Sequence, residues 1–215
     1  MPEIKAIILD YDGVIVDSLK PLMEVSNSLA AKHKYSPVKD RDEFVKVFDR
    51  NLFEPVQCFK LTGLRSPIYL KDLKQKLKEA NKKVRVIPGI GQLVNVLSEH
   101  FKLAIVSNNF KDIINDTLTR EKIKEKFEVV VSGEEGSNKS KLIKSCLEKL
   151  KLSQHEVVFI CDTYVDIMHG KDARVKTIAV TWGYQLRPKL LTASPDFIVE
   201  KPSELLEALN VLIQE

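Results

Sequence analysis

Ile4-Lys5-Ala6-Ile7-Ile8-Leu9-Asp10-Tyr11-Asp12-Gly13-Val14-Ile15-Val16-Asp17-Ser18 decides how the chain is read. The run Ile4–Leu9 is apolar without polar alternation, the pattern of a strand covered on both faces of a parallel sheet. It stops abruptly at Asp10. Asp10 and Asp12 are two residues apart, so on an extended backbone they point the same way. Two carboxylates about 4 Å apart repel by about 4 kcal/mol at an effective dielectric near 20. That repulsion is relieved by a cation between them or by protonation of one. Gly13 lets the chain turn away. An acidic loop capping a helix would explain the same residues without any chemistry.

Working outward, similar apolar runs recur at Leu103–Val106, Val129–Val131, Val157–Ile160, Thr177–Val180 and Phe197–Val199. Segments of helical spacing lie between them, such as Ile90–Leu97 and Leu142–Leu150. Alternating strand and helix predicts an α/β fold, a Rossmann-like parallel sheet. Residues 19 to 85 break the alternation. Leu22–Ala31, Phe44–Phe48 and the Lys-rich stretch Lys71–Lys83 read as amphipathic helices without a buried strand. The expected organisation is a core of residues 1–18 and 86–215 with a small helical insertion, 19–85, after the first strand.

The chain has 215 residues, 44% of them hydrophobic, enough for a sizeable core. Eight Gly and nine Pro exclude collagen-like and Pro/Gly-rich disordered classes. No apolar run approaches the ~20 residues of a membrane span, so no membrane partner is expected. No secretory signal is visible, and Cys58, Cys146 and Cys161 lack metal-ligand spacing. Reduced thiols and a cytoplasmic location are the expectation. Residues 19 to 87 hold 16 Lys/Arg against 8 Asp/Glu, and the remainder holds 18 against 22. This contrast hints at an anionic ligand near the boundary, while a solvated Lys-rich helix accounts better for most of these lysines taken one by one. No aromatic-basic module supports nucleic-acid binding.

Three further clusters follow strands, where ligands bind in open α/β sheets. Asp162 closes the strand Val157–Ile160, and Asp166 follows one helical turn later. Asp162 or Thr163 would also serve as a helix N-cap. Together with Asp10 and Asp12 these give up to four carboxylates at one rim, an oxygen-only donor set suited to Mg2+. Ser107 and Asn108, after Leu103–Val106, offer a hydroxyl and backbone N–H groups to an anion. Lys139, just before the helix Leu142–Leu150, is placed to neutralise a phosphate, with Lys141 as a competitor.

The order of these clusters resembles the haloacid dehalogenase superfamily. Asp10–Ser18 looks like its first motif, Val106-Ser107-Asn108 its second, Lys139 its third and Cys161-Asp162-Thr163-x-x-Asp166 its fourth. Gly170–Ala173, Thr181-Trp182-Gly183-Tyr184 and Ser194–Phe197 resemble phosphoglycolate-phosphatase-like members. The resemblance implies a helical cap in the insertion and a phosphomonoester hydrolase acting on a small phosphorylated metabolite. It implies Asp10 as nucleophile, Asp12 as acid/base, and Mg2+ held by Asp10, Asp12 through its backbone carbonyl, Asp162 and Asp166. It implies phosphate binding by Ser107, Asn108 and Lys139. Cys161 and Arg174 stand where the family usually has or commonly has Gly, and both are expected to narrow the pocket. A phosphosugar mutase or phosphotransferase of the same fold is an alternative. A phospho-Asp signalling domain or a non-catalytic binding module fits less well, because of the long insertion and the complete acidic set. Monomer and dimer are equally compatible with the sequence.

Overall fold

The computed structural model describes residues 3–48 and 67–214. Cys58 and the middle of the insertion lie outside the described residues. Six parallel strands form one sheet in the order β5-β4-β1-β6-β7-β8. They are β1 (Ala6–Leu9), β4 (Lys102–Val106), β5 (Phe127–Val131), β6 (Val157–Cys161), β7 (Lys176–Val180) and β8 (Phe197–Val199). β1 is central, with β4 on one side and β6 on the other. The chain builds outward from β1 to β4 and β5, then crosses to β6 on the opposite flank. The crevice at that reversal is where ligands bind in such sheets.

The unbroken apolar runs are explained by helices on both faces. Alternate strand residues point to opposite sides. On one side Ile7, Leu9, Ile105 and Ile160 pack with α4 (Ile90–Leu97), α5 (Lys111–Arg120) and α9 (Leu205–Gln214). On the other, Ile8, Ala104, Phe159 and Cys161 pack with α6 (Lys139–Leu150) and α7 (Tyr164–Asp172). A short helix, α8 (Arg187–Leu191), precedes β8.

The helical insertion leaves and re-enters through a two-stranded antiparallel ribbon, β2 (Val16–Asp17) with β3 (Arg85–Val86). Between these lie α1 (Leu19–His33), α2 (Arg41–Phe48) and α3 (Pro67–Asn81). Leu22, Val25, Leu29, Phe44, Leu73 and Leu77 form its apolar centre, which continues onto Phe110, Ile113 and Tyr184 of the sheet domain. Helix α5 therefore serves two cores, with Ile114 and Leu118 facing the sheet and Ile113 facing the insertion.

Three lysines of α3 are paired with carboxylates. Lys74 meets Asp112 at 3.3 Å and Glu134 at 3.0 Å, and Lys78 meets Asp112 at 2.7 Å. Lys76 pairs with Glu79 on its own helix. The acidic partners of Lys74 and Lys78 belong to the sheet domain, so the opposite charges of the two halves meet each other directly. Among the described residues, no helix is long and apolar enough to cross a membrane.

Candidate active site

Asp10 is the first residue beyond β1, and its backbone N–H still donates to Ile160 of β6. That bond aims the side chain into the crevice above the sheet. One carboxylate oxygen accepts the Tyr11 N–H at 2.7 Å, and the other accepts Lys139 Nζ at 2.6 Å. Lys139 also reaches Asp166 Oδ1 at 2.8 Å. All three side chains are buried. Lys139 stays protonated, because the two carboxylates outweigh desolvation and hold its pKa above the usual range.

Of the two candidate lysines, Lys139 is the one that reaches the crevice. Asn138 caps α6 by accepting the Lys141 N–H, which makes Lys139 the first residue of the helix. Helical side chains tilt toward the N-terminus, so Lys139 leans back into the crevice. Lys141 stands about 200° further round at 3.6 residues per turn, and it is exposed.

Thr163 and Asp166 show how a capping residue and a site residue coexist. Thr163 is the N-cap of α7, its hydroxyl taking the Asp166 N–H at 3.1 Å. The same hydroxyl donates to Asp166 Oδ2 at 2.8 Å. Asp162 is therefore not needed as a cap. Its Oδ2 accepts the Tyr184 N–H at 2.7 Å, while the buried Oδ1 has no hydrogen-bond partner. Burial and the neighbouring Asp166 push the Asp162 carboxyl up to about 7. Two glycines make room for it. A Cβ on Gly13 would lie 2.0 Å from Asp162 Oδ2, and one on Gly183 would lie 2.3 Å from it.

Oxygens of Asp10, Asp162 and Asp166 lie within 4.8 Å of one another. Asp12 is not part of this trio. Its Oδ2 accepts from the Asn109 amide at 3.0 Å, and its buried Oδ1 has no partner. Burial raises its pKa, against the Ser18 hydroxyl and the Asn109 amide. Ser107 is buried and accepts the Asn109 N–H at 3.1 Å. Phe110 occupies the N-cap position of α5, which has no side-chain cap bond. Asp10, Asp12, Ser107, Asn108, Lys139, Asp162 and Asp166 all line one cavity of about 40 Å3.

The donor set fits a hard divalent cation. Four buried carboxylates face a single ammonium group, two of their oxygens are buried without partners, and every donor is oxygen. Asp10, Asp162 and Asp166 are the side chains that could hold it.

Two expected pocket residues lie elsewhere. Cys161 faces the apolar layer beneath α6 and α7. Arg174 sits at the opposite, N-terminal edge of the sheet, with Lys171 and Lys176. Its backbone takes a left-handed φ of 60°, a conformation that explains why glycine suits this position. Neither narrows the cavity. Sequence reasoning assigned no role to Asn109, Ser18, Tyr184 or Gly183, although each stands inside or beside a quoted motif. His169 also lines the cavity, one turn after Asp166 on the same helix face, a spacing that could have found it.

A family model for haloacid dehalogenase-like hydrolases matches residues 7–180. The chain belongs to this family. A protein of Synechococcus elongatus named phosphoglycolate phosphatase is 27% identical, with 98% of this chain and all of that protein covered. Pyrophosphatase PpaX of Bacillus pumilus is 26% identical over 94% of this chain and 95% of its own length. A crystal structure titled as a predicted phosphatase from Clostridium acetobutylicum superposes with a TM-score of 0.86 at 18% identity, over 98% of this chain and all of that one. It is evidence of a shared fold. The chain is thus a haloacid dehalogenase-type hydrolase with named phosphatases among its relatives.

Proposed function

We propose that the protein is a Mg2+-dependent phosphomonoester hydrolase that works through an aspartyl-phosphate on Asp10. Its substrate would be a small phosphorylated metabolite of the phosphoglycolate type. The observation that carries this reading is the contrast between two carboxylates two residues apart. Asp10 is fixed at both oxygens by Tyr11 N–H and Lys139, as a nucleophile must be. Asp12 keeps one buried oxygen unpartnered, which leaves it open to hand a proton on and take it back.

In the first step a carboxylate oxygen of Asp10 attacks phosphorus, and the bond to the ester oxygen breaks. Asp12 gives its proton to the departing alkoxide. In the second step Asp12 takes a proton from water, the water oxygen attacks phosphorus, and the Asp10–phosphorus bond breaks to release inorganic phosphate. Ser107, the Asn108 N–H and Lys139 would hold the non-bridging oxygens, where charge gathers during transfer. Asp10, Asp162 and Asp166, with the Asp12 carbonyl, would hold Mg2+. The ion would offset the repulsion between the attacking carboxylate and the phosphate dianion.

Names of the relatives supply the two substrates to set against each other, a small phosphate ester and pyrophosphate. Phosphate release from 2-phosphoglycolate, other small monoesters and pyrophosphate should be measured with Mg2+ and again with chelator. Ester hydrolysis that chelator abolishes is expected. Preferred cleavage of pyrophosphate would replace the proposed substrate class. Full activity in chelator would remove the metal.

A further inference from the structure

Helix α2 of the insertion places Arg41 against the loop that holds Asp162. Its Nη2 donates to the backbone oxygen of Tyr184 at 2.9 Å and to that of Gly183 at 3.2 Å. These are the residues whose other atoms fix the site. The Tyr184 N–H donates to Asp162 Oδ2, and the Tyr184 hydroxyl shares a 2.7 Å hydrogen bond with Ser18 Oγ. One guanidinium from the insertion therefore stands behind the loop that holds Asp162, without touching the carboxylate.

We propose that Arg41 is a positioning residue, which makes the placement of Asp162 depend on the insertion being docked. This rests on the reading above, that the carboxylate cluster takes part in phosphoryl transfer. A planar guanidinium suits two adjacent carbonyl oxygens, because its N–H groups diverge in a fixed fork. Lysine has no such fork. Docking also has a second, separate support on the other side, the ion pairs of Lys74 and Lys78 with Asp112 and Glu134. The two supports differ in what they touch. The lysines hold the insertion to α5 and its neighbourhood. Arg41 instead bonds the backbone at 183 and 184.

The chain carries its own reporter. Its single tryptophan, Trp182, lies in the same loop and donates Nε1–H to the Val14 oxygen at 3.3 Å. Arg41→Ala, Arg41→Lys and Lys78→Ala should be compared with the wild type. The readouts are kcat and KM for p-nitrophenyl phosphate with Mg2+, and acrylamide quenching of Trp182. A misplacement of about 1 Å in a reacting group can cost about 100-fold, so Arg41→Ala should lower kcat by about 10- to 100-fold with KM changed far less. Its Trp182 should become easier to quench. Arg41→Lys should recover only part of both. Lys78→Ala should leave Trp182 quenching at the wild-type value. Wild-type kcat in Arg41→Ala, or equal Trp182 changes in Arg41→Ala and Lys78→Ala, would overturn the positioning role. A wild-type enzyme without phosphatase turnover would defeat the functional reading instead, and the quenching comparison would still report on the loop.

Discussion

Asp162 sits between two glycines, Gly13 in the first turn after β1 and Gly183 in the loop after β7. Both approach so closely that a methyl group at either would strike its carboxylate. Gly13 has in addition a φ of 78°, which L-residues rarely adopt. Gly183→Ala should lower kcat by about 100-fold, because the displaced carboxylate sits among the reacting groups. Steady-state kinetics at saturating Mg2+ would show it, and unchanged kcat would mean that Asp162 need not stand where it does. Spacing left each acidic pair open to a helix-cap reading, and only the two pairs taken together at neighbouring strand ends pointed to one cluster; oxygens of Asp10, Asp162 and Asp166 do lie within 4.8 Å of one another. The choice of Lys139 over Lys141 was not legible. It depends on the residue at which α6 begins, and Asn138 decides that through one capping bond. Asn109 was missed for a related reason: an amide beside a serine reads as a cap, and only the fold shows it turned toward Asp12.

At the scale of elements, α3 and α5 are joined through Asn81, the last residue of α3. Its amide donates to the Ile113 oxygen at 3.1 Å and accepts from the Thr117 hydroxyl at 2.8 Å. All of this is buried. Asn81→Ala would remove the acceptor of the buried Thr117 hydroxyl and a second bond to the Ile113 carbonyl, which keeps its helical partner, so one buried group is left unsatisfied. Denaturant unfolding should register a loss of about 1–3 kcal/mol on that basis. A loss well under 1 kcal/mol would mean that this junction is hydrated or loosely packed. The longer helices were readable because each repeats its apolar period, and the sheet strands because their apolar runs are unbroken. The ribbon β2–β3 has two residues per strand and α8 has five, so no period develops in either. The pairing of the insertion's lysines was hidden for a different reason. Charge is visible in a sequence, but the partner is not, and here the partners lie more than thirty residues away on the sheet domain.

For the molecule as a whole, the buried acids set a relation between pH, metal and stability. The Asp162 carboxyl rises from 3.8 to about 7 on folding, chiefly through desolvation. Between those values the folded protein keeps a proton that the unfolded chain has lost. Stability of the metal-free protein should therefore fall as pH rises from about 4 to about 7. Asp10 is shifted in the same direction and adds to this slope. A divalent cation favours the ionised carboxylates and offsets the loss. The gap in melting temperature between Mg2+ and chelator should thus widen from about pH 5 to about pH 8. A gap that is constant or shrinks with pH would contradict the carboxylate cluster as the metal site.

The central question is whether Asp10 becomes covalently phosphorylated. The enzyme should be mixed with excess phosphate ester and Mg2+, quenched in acid within the first turnovers, digested and examined by mass spectrometry. A phosphoryl group on the peptide that contains Asp10, absent from an Asp10→Asn variant that still folds and no longer turns over, is the expected result. Turnover by that variant, or a phosphoryl group on another residue, would contradict it.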